Sequence, residues 1–262
     1  MAETVVLNRE GDIVQLLLNR PEAFNAFNPE CITGLARHLT ACATDASVRG
    51  VVIGGMGKAF CAGGDLKEIL HCAEGASSGF YRMARTFHEA VIEIRRMPKP
   101  VIAAVNGIAA GGGFSLALAC DFRVMARSSV LRQAYTSAGL CLDGGGTFLL
   151  PRVVGLARAL EIAAFDRPIS AEQALQWGLA TQVVDDGQAL EEAMAMARGL
   201  SERSMHSYGW VKRLLTDACE TPLEVQLERE RLGIAACGAH ADGLEGMMAF
   251  ATKRKPVFKR DS

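Results

Sequence analysis

Residues 101–120 constrain the fold more than any other part of the chain, because these twenty positions are almost wholly apolar. A run of that length could form a membrane-spanning helix. It contains Asn106 and three consecutive glycines at 111–113, however, and glycine is a poor helix former. We therefore predict a buried strand followed by a turn, in a soluble protein with no membrane partner.

Short apolar runs alternate with helical patterns through the first two-thirds of the chain. This alternation is typical of parallel strand pairing and predicts an α/β core. The predicted strands are residues 5–7, 13–18, 51–53, 101–105 and 122–125, of which the first two form a hairpin. The predicted helices in this part are residues 29–43, capped by Asn28, and 80–97, ended by Pro98 and Pro100.

Strand signals fade after about residue 150, and helical signals replace them. Capping-box patterns begin at Ser170 and Thr221, each ahead of a predicted helix. Further predicted helices are residues 191–200, 223–236 and 244–253. We expect this last third to be a helical appendage or an assembly surface.

The charges nearly cancel, because 28 Lys and Arg stand against 29 Asp and Glu, for a formal net charge of −1. This balance gives no general electrostatic reason to expect nucleic acid or an anionic membrane as a partner. The eight cysteines are scattered without a Cys-x-x-Cys pair, so we expect reduced thiols and no metal site. With no secretory signal pattern in the first residues, a cytoplasmic location is expected.

Three glycine clusters, at residues 58–67, 106–114 and 142–147, carry the strongest functional signal. None has the spacing of a phosphate-binding P-loop or follows the dinucleotide-binding pattern closely. Glycine lets the backbone approach a ligand, and two exposed N–H groups from different loops would stabilise an enolate or a tetrahedral oxyanion. Tight turns between packed elements are the alternative for any one cluster.

Taken together, these segments resemble the crotonase superfamily, the enoyl-CoA hydratase/isomerase fold, over nearly the whole chain. The matching segments are residues 19–27, 59–67, 98–107, 111–113, 119–121, 170–171, 177–179 and 250–255. The resemblance implies a spiral core of repeated ββα units at 1–200. It also implies a C-terminal helical region at 201–262 that covers CoA and forms homotrimers, which often pair into hexamers.

The resemblance also implies where an acyl-CoA substrate binds, with coenzyme A as part of that substrate and no tightly bound cofactor. The backbone amides of Gly64 and Gly112 would hold the thioester oxygen. The CoA moiety would lie along residues 62–67, which include Ala62, Asp65 and Leu66. The lysines implied near its phosphates are Lys58, Lys67, Lys253 and Lys255, for which a solvated surface role is the alternative.

The catalytic positions favour isomerisation over hydration. Hydratases of this superfamily use two glutamates, and the matching positions here are Ser115 and Tyr135. A serine and a tyrosine activate water poorly at neutral pH. Asp143 stands where some isomerases carry a single acid or base, and residues 140–152 look especially like isomerases of phenylacetate degradation. One carboxylate suffices for a 1,3-proton shift.

Other functions remain open at this stage. Asp143 also matches the nucleophile of members that displace halide from an aromatic acyl-CoA, and His88 matches a histidine of those enzymes, although packing or surface exposure is the commoner role of a lone helical histidine. Thioester hydrolysis, ordinary hydration and a non-catalytic CoA- or RNA-binding role are further alternatives. The acyl pocket wall is expected in residues 70–87, with 73–79 as a mobile loop.

Overall fold

The computed structural model describes residues 3–258, which form two β-sheets with helices around them. The larger sheet has the strand order β1-β2-β3-β5-β7-β10. Its strands are β1 (Val5–Glu10), β2 (Ile13–Leu18), β3 (Gly50–Gly55), β5 (Val101–Val105), β7 (Phe122–Ala126) and β10 (Gln182–Val184). Only β1 and β2 pair antiparallel, as the predicted hairpin, and the remaining neighbours are parallel. The α/β prediction is confirmed.

The smaller sheet has the order β4-β6-β8-β9 and was not predicted. Its strands are β4 (Ala59–Cys61), β6 (Ile108–Ala110), β8 (Val130–Arg132) and β9 (Ile169–Ser170). The first three are parallel to one another. Strands of two or three residues are too short to show the alternation by which strands are predicted.

Helices follow these strands in a repeating order. They are α1 (Pro29–Thr44), α2 (Leu66–Leu70), α3 (Gly75–Arg96), α4 (Gly112–Ala119), α5 (Gly146–Val154), α6 (Leu156–Phe165), α7 (Ala171–Gln176), α8 (Ala189–Ser201), α9 (Met205–Asp217), α10 (Leu223–Ala239) and α11 (Ala241–Ala251). Three successive units, β3-β4-α2, β5-β6-α4 and β7-β8-α5, place their first strand in the large sheet and their second in the small one. This is the expected ββα repeat.

Strand β5 shows how the core is divided between the two faces of the large sheet. Side chains alternate along a strand, so Val101, Ala103 and Val105 face one cluster, with α1, α3 and α4. Ile102 and Ala104 face the other, with α8. The strand is therefore buried on both faces, which explains its unbroken apolar sequence.

The apolar run at 101–120 contains the predicted strand, but the expected turn is only partly correct. Strands β5 and β6 use its first half, and helix α4 begins within the glycine triplet, at Gly112. All eight residues of α4 are buried. Packing on every side offsets the low helix propensity of glycine there. Among residues 3–258, no helix is long and apolar enough to cross a membrane.

The helix ends test the capping predictions. Asn28 caps α1, because its Oδ1 accepts from the amide of Cys31 at 2.9 Å. The capping box of Ser170 and Gln173 is also present. The one predicted at Thr221 is wrong, because the Thr221 hydroxyl donates to the carbonyl of Asp217 at 2.8 Å and α10 begins after Pro222 without a side-chain cap.

The division at residue 200 stays a prediction. Helices α9, α10 and α11 occupy the described part of the predicted C-terminal region, and residues 259–262 lie outside the described residues.

Candidate active site

The three parallel strands of the small sheet direct the chain into one cavity of about 500 Å³. Their carboxyl ends lie at the same edge, and ligands commonly bind beyond such an edge in α/β proteins. Residues that follow each strand line the cavity: Ala62, Gly63 and Gly64 after β4, Gly111 and Gly112 after β6, and Ala134 and Tyr135 after β8. Leu66, Asp143 and side chains of α3 complete much of its wall.

The two predicted amide donors lie on adjacent loops. A Cβ at Gly63, where φ is +101°, would lie 3.0 Å from the carbonyl oxygen of Ala110 and 3.3 Å from the amide nitrogen of Gly112. Only glycine permits the loops to approach this closely.

The two glycine amides lie next to hydrogen bonds that other backbone groups make. Gly112 is the first residue of α4, where an amide has no partner within the helix. The bridge between Phe27 and Gly64 uses the carbonyl of Gly63 and the amide of Asp65. The amide of Gly64 takes no part in that bridge, and its donation with Gly112 to one oxyanion stays a prediction.

Asp143 lies beside these loops, just before α5. Its Oδ1 is 2.5 Å from Nε2 of His88, which α3 carries. Its carboxylate is about one-third exposed and the imidazole about one-half. Among the described residues that line the cavity, Asp143 is the single carboxylate. The carboxylate and imidazole therefore form a hydrogen-bonded dyad at the cavity.

The two residues at the glutamate positions contact each other, and Ser115 bonds the backbone of Asp143. Oγ of Ser115 donates to the carbonyl oxygen of Asp143 at 2.6 Å and lies 3.3 Å from the hydroxyl of Tyr135. Burial raises the pKa of Tyr135, against a smaller opposing effect of its hydrogen bond with Ser115. Neither residue supplies a carboxylate, and the phenol stays neutral at ordinary pH.

Helix α3 supplies the apolar wall of the cavity. Phe80, Tyr81, Met83, Ala84 and Phe87 line it, within the predicted range 70–87. The prediction of a mobile loop at 73–79 is wrong, because α3 begins at Gly75. The small residues of this stretch give little helix signal, and packing on α1 and α2 stabilises the helix instead.

Comparison with known proteins identifies the family to which this chain belongs. The sequence model described as enoyl-CoA hydratase/isomerase matches residues 8–261. The chain belongs to the enoyl-CoA hydratase/isomerase family. The resemblance to the crotonase superfamily is thereby confirmed.

Relatives within this family include an isomerase and several hydratases. The 1,2-epoxyphenylacetyl-CoA isomerase of Escherichia coli (strain K12) is 39% identical over 259 residues, which cover 98% of this chain and 99% of that protein. A probable enoyl-CoA hydratase of Rhodobacter capsulatus is 38% identical and covers 93% of both chains. The crystal structure of an enoyl-CoA hydratase from Polaromonas sp. JS666 superposes with a TM-score of 0.93, at 38% identity, over 97% of this chain and 99% of that one. The crotonase-like fold is confirmed.

The residues that the family resemblance assigns to CoA are only partly gathered at the cavity. Ala62, Gly64 and Leu66 line it. The four lysines are exposed, and none is among the described residues that line the cavity. They are Lys58, Lys67, Lys253 and Lys255. The carboxylate of Asp65 caps α2 and pairs with Arg20 at 3.0 Å, so its side chain is occupied structurally. Their roles toward CoA stay predictions.

Sequence reasoning missed two features of this family member's site. It favoured packing or surface exposure for His88, whose contact with Asp143 depends on the alignment of α3 with a loop 55 residues away. It also left out Phe27, which lines the cavity with its ring centroid 5.1 Å from that of Phe87. Phe27 closes the matching segment 19–27, so a signal for it was available. Among residues 3–258, no group of three or more His, Cys, Asp or Glu side chains could hold a metal ion.

Proposed function

We propose that this family member is an acyl-CoA isomerase that moves a carbon–carbon double bond by a 1,3-proton shift. The observation that carries the proposal is the single carboxylate of Asp143 in an apolar cavity beside the loops of Gly64 and Gly112. The acyl-CoA substrate class is that of the family.

The reaction needs one group that both takes and returns a proton. The thioester oxygen accepts from the amides of Gly64 and Gly112, which stabilise the negative charge as it develops. Oδ2 of Asp143 takes a proton from C2, the electron pair moves into the dienolate, and the same carboxyl returns the proton at C4. The double bond then lies between C2 and C3. Because His88 bonds Oδ1, it holds the carboxylate in one orientation throughout.

Ser115 and Tyr135 support isomerisation over hydration. Adding water needs a base for the water and an acid for the carbon, and each contributes a large factor to the rate. Burial raises the pKa of Tyr135, so its phenol does not serve as a base at neutral pH. The isomerase among the relatives supports the same choice, although hydratases are present beside it.

The predictions about CoA binding, subunit assembly and cellular location are part of this proposal. We propose that the backbone at 62–67 binds the CoA moiety and that Lys58, Lys67 and Lys253 approach its phosphates, without a tightly bound cofactor.

A homotrimer or hexamer is supported by exposed apolar side chains on the last helices, namely Leu215, Leu223, Leu232, Ile234, Leu244, Met247, Met248 and Phe250. A cytoplasmic location completes the proposal.

The test is a substrate panel of 3-enoyl-, 2-enoyl- and aromatic acyl-CoAs with the wild type and Asp143→Asn. We expect the variant to lose isomerisation of 3-enoyl-CoA by about 10²-fold or more, since removal of a general acid–base group costs that much. Glu89→Gln is the matched control, because Glu89 is an exposed carboxylate next to His88 on α3. Retained turnover in Asp143→Asn would refute the mechanism.

A second candidate, displacement or hydrolysis with Asp143 as nucleophile, is favoured by its contact with His88, which could activate water. A single turnover in water enriched in ¹⁸O distinguishes the two. Label in the Asp143 carboxylate supports the nucleophile, whereas unlabelled protein, together with deuterium at C2 of the substrate after a parallel turnover in ²H₂O, supports the proton shift.

A further inference from the structure

Tyr135 has a hydroxyl group at the acyl cavity whose proton lacks a good acceptor. The residue lies directly before a 3₁₀ turn at Thr136–Ala138 and lines the cavity next to Asp143. Oγ of Ser115 is the hydrogen-bond partner of this hydroxyl.

The directions of these hydrogen bonds follow from the number of protons available. Ser115 has one hydroxyl proton, and it goes to the carbonyl of Asp143 at 2.6 Å. Toward Tyr135, Ser115 is therefore an acceptor.

The phenol proton is left with Oγ of Ser115, 3.3 Å away. Hydrogen bonds between hydroxyl groups ordinarily measure about 2.5–3.0 Å, so this contact is weak. A nearby oxygen atom in the cavity would be a better acceptor. Burial raises the pKa of Tyr135, so the proton is present at neutral pH.

We propose that Tyr135 is a specificity-determining residue that donates a hydrogen bond to an oxygen atom carried on the acyl group of the substrate. This inference rests on the proposed function, because it assumes an acyl group bound beside Asp143. The thioester oxygen is not the partner, since the amides of Gly64 and Gly112 serve it. The oxygen belongs farther along the acyl group, near the carbons between which the proton moves.

The composition of the cavity restricts the substrate class further. Apart from Asp143 and Tyr135, the described side chains that line it are apolar except for Ser77, Tyr81 and Cys141. Tyr81 is 77% exposed, so it belongs to the entrance. The acyl group is therefore mainly hydrocarbon, with an acceptor oxygen such as a hydroxyl group near its reacting carbons.

The experiment compares Tyr135→Phe with the wild type on matched substrates. The substrates are 3-pentenoyl-CoA, 5-hydroxy-3-pentenoyl-CoA and 6-hydroxy-3-hexenoyl-CoA. We expect the variant to lose about 2- to 10-fold in kcat/KM on a hydroxylated substrate, the usual value of one hydrogen bond, and to keep the parent rate within twofold. Ser115→Ala is the control for positioning, since it removes a bond to Asp143 and should slow all three substrates alike.

Binding provides a readout that does not depend on turnover. Calorimetry with pentanoyl-CoA and 5-hydroxypentanoyl-CoA should show that Tyr135→Phe weakens only the hydroxylated ligand, by a similar factor. Equal losses on all substrates and both ligands would make Tyr135 a positioning residue and overturn the inference, and no change on any of them would overturn it too. If the wild type isomerises none of the substrates, the proposed function fails and the binding comparison still decides the role of Tyr135.

Discussion

Gly144 and Gly139 form a matched pair of positions for measuring how tightly the Asp143 loop is packed. Both have a left-handed backbone, with φ of +61° and +71°. A Cβ at Gly139 would meet nothing within 4 Å, whereas at Gly144 it would lie 2.2 Å from a ring carbon of Phe87. Alanine at either position carries the same backbone strain, and only Gly144→Ala adds a steric clash.

The expected loss in the free energy of unfolding follows from backbone strain and from the steric clash. Left-handed backbone costs an alanine roughly 1–2 kcal/mol, which is the whole effect expected for Gly139→Ala. Overpacking of a buried site adds about 1–3 kcal/mol. Phe87 cannot yield easily, because it is 3% exposed and its ring packs against Phe27. We expect Gly144→Ala to lower the free energy of unfolding by about 2–5 kcal/mol.

We expect Gly144→Ala and Gly139→Ala to differ in turnover as well as in stability. Gly144 directly follows Asp143, the proposed acid–base group, and a displacement of about 1 Å at a reacting group can cost on the order of 10²-fold in rate. We therefore expect Gly144→Ala to lose about that factor in kcat and Gly139→Ala to stay within a few fold of the wild type.

The assay is urea denaturation followed by circular dichroism, with isomerase kinetics on the same samples. All variants are measured at one protein concentration, because subunit assembly would make stability concentration-dependent. Equal losses of stability in the two variants, within about 0.5 kcal/mol, would refute the argument, since the clash with Phe87 would then contribute nothing.

Two further predictions concern charged pairs. Lys212→Met should destabilise the fold by about 3 kcal/mol in urea denaturation, because it leaves buried Asp121 without the ammonium group that lies 2.6 Å away, and a loss below about 1 kcal/mol would contradict this. The hydrogen bond from Arg254 holds the pKa of Glu245 at about 2, below its ordinary value of 4.5. The stabilisation by this pair should therefore be complete above pH 4.5 and lost as the pH falls toward 2, and an NMR titration that gives Glu245 a pKa near 4.5 would exclude it.

Several long elements, although not α6 or α9, could be predicted from the sequence because their signals are local. The bounds of β2 and β5 agree with the predicted strands, and Asn28 with Pro29 marks the start of α1. The small sheet could not be predicted, since β4, β6 and β8 have three residues each and are held by pairing between distant segments. Helix α4 was hidden for a related reason, because burial and not propensity stabilises it.

Some features of the candidate site could also be predicted from the sequence, and others could not. The glycine clusters predict two amide donors, and the structure brings Gly64 and Gly112 to one cavity with Asp143. The contact of His88 with Asp143 could not be predicted from the sequence, because it depends on how α3 lies against a loop 55 residues further along the chain. The surroundings of Ser115 and Tyr135 were also hidden, because the sequence indicates the missing carboxylates but not the hydrogen bonds made in their place.

Helix α3 carries both the apolar wall of the cavity and the imidazole that contacts Asp143, the proposed base. Phe87 and His88 are adjacent on it, so an acyl group too wide for the cavity would shift both together. Discrimination among acyl groups should then be expressed in turnover more than in affinity. Widening the cavity for a new substrate would require adjusting His88 as well, or the enlarged enzyme would bind its substrate and convert it slowly.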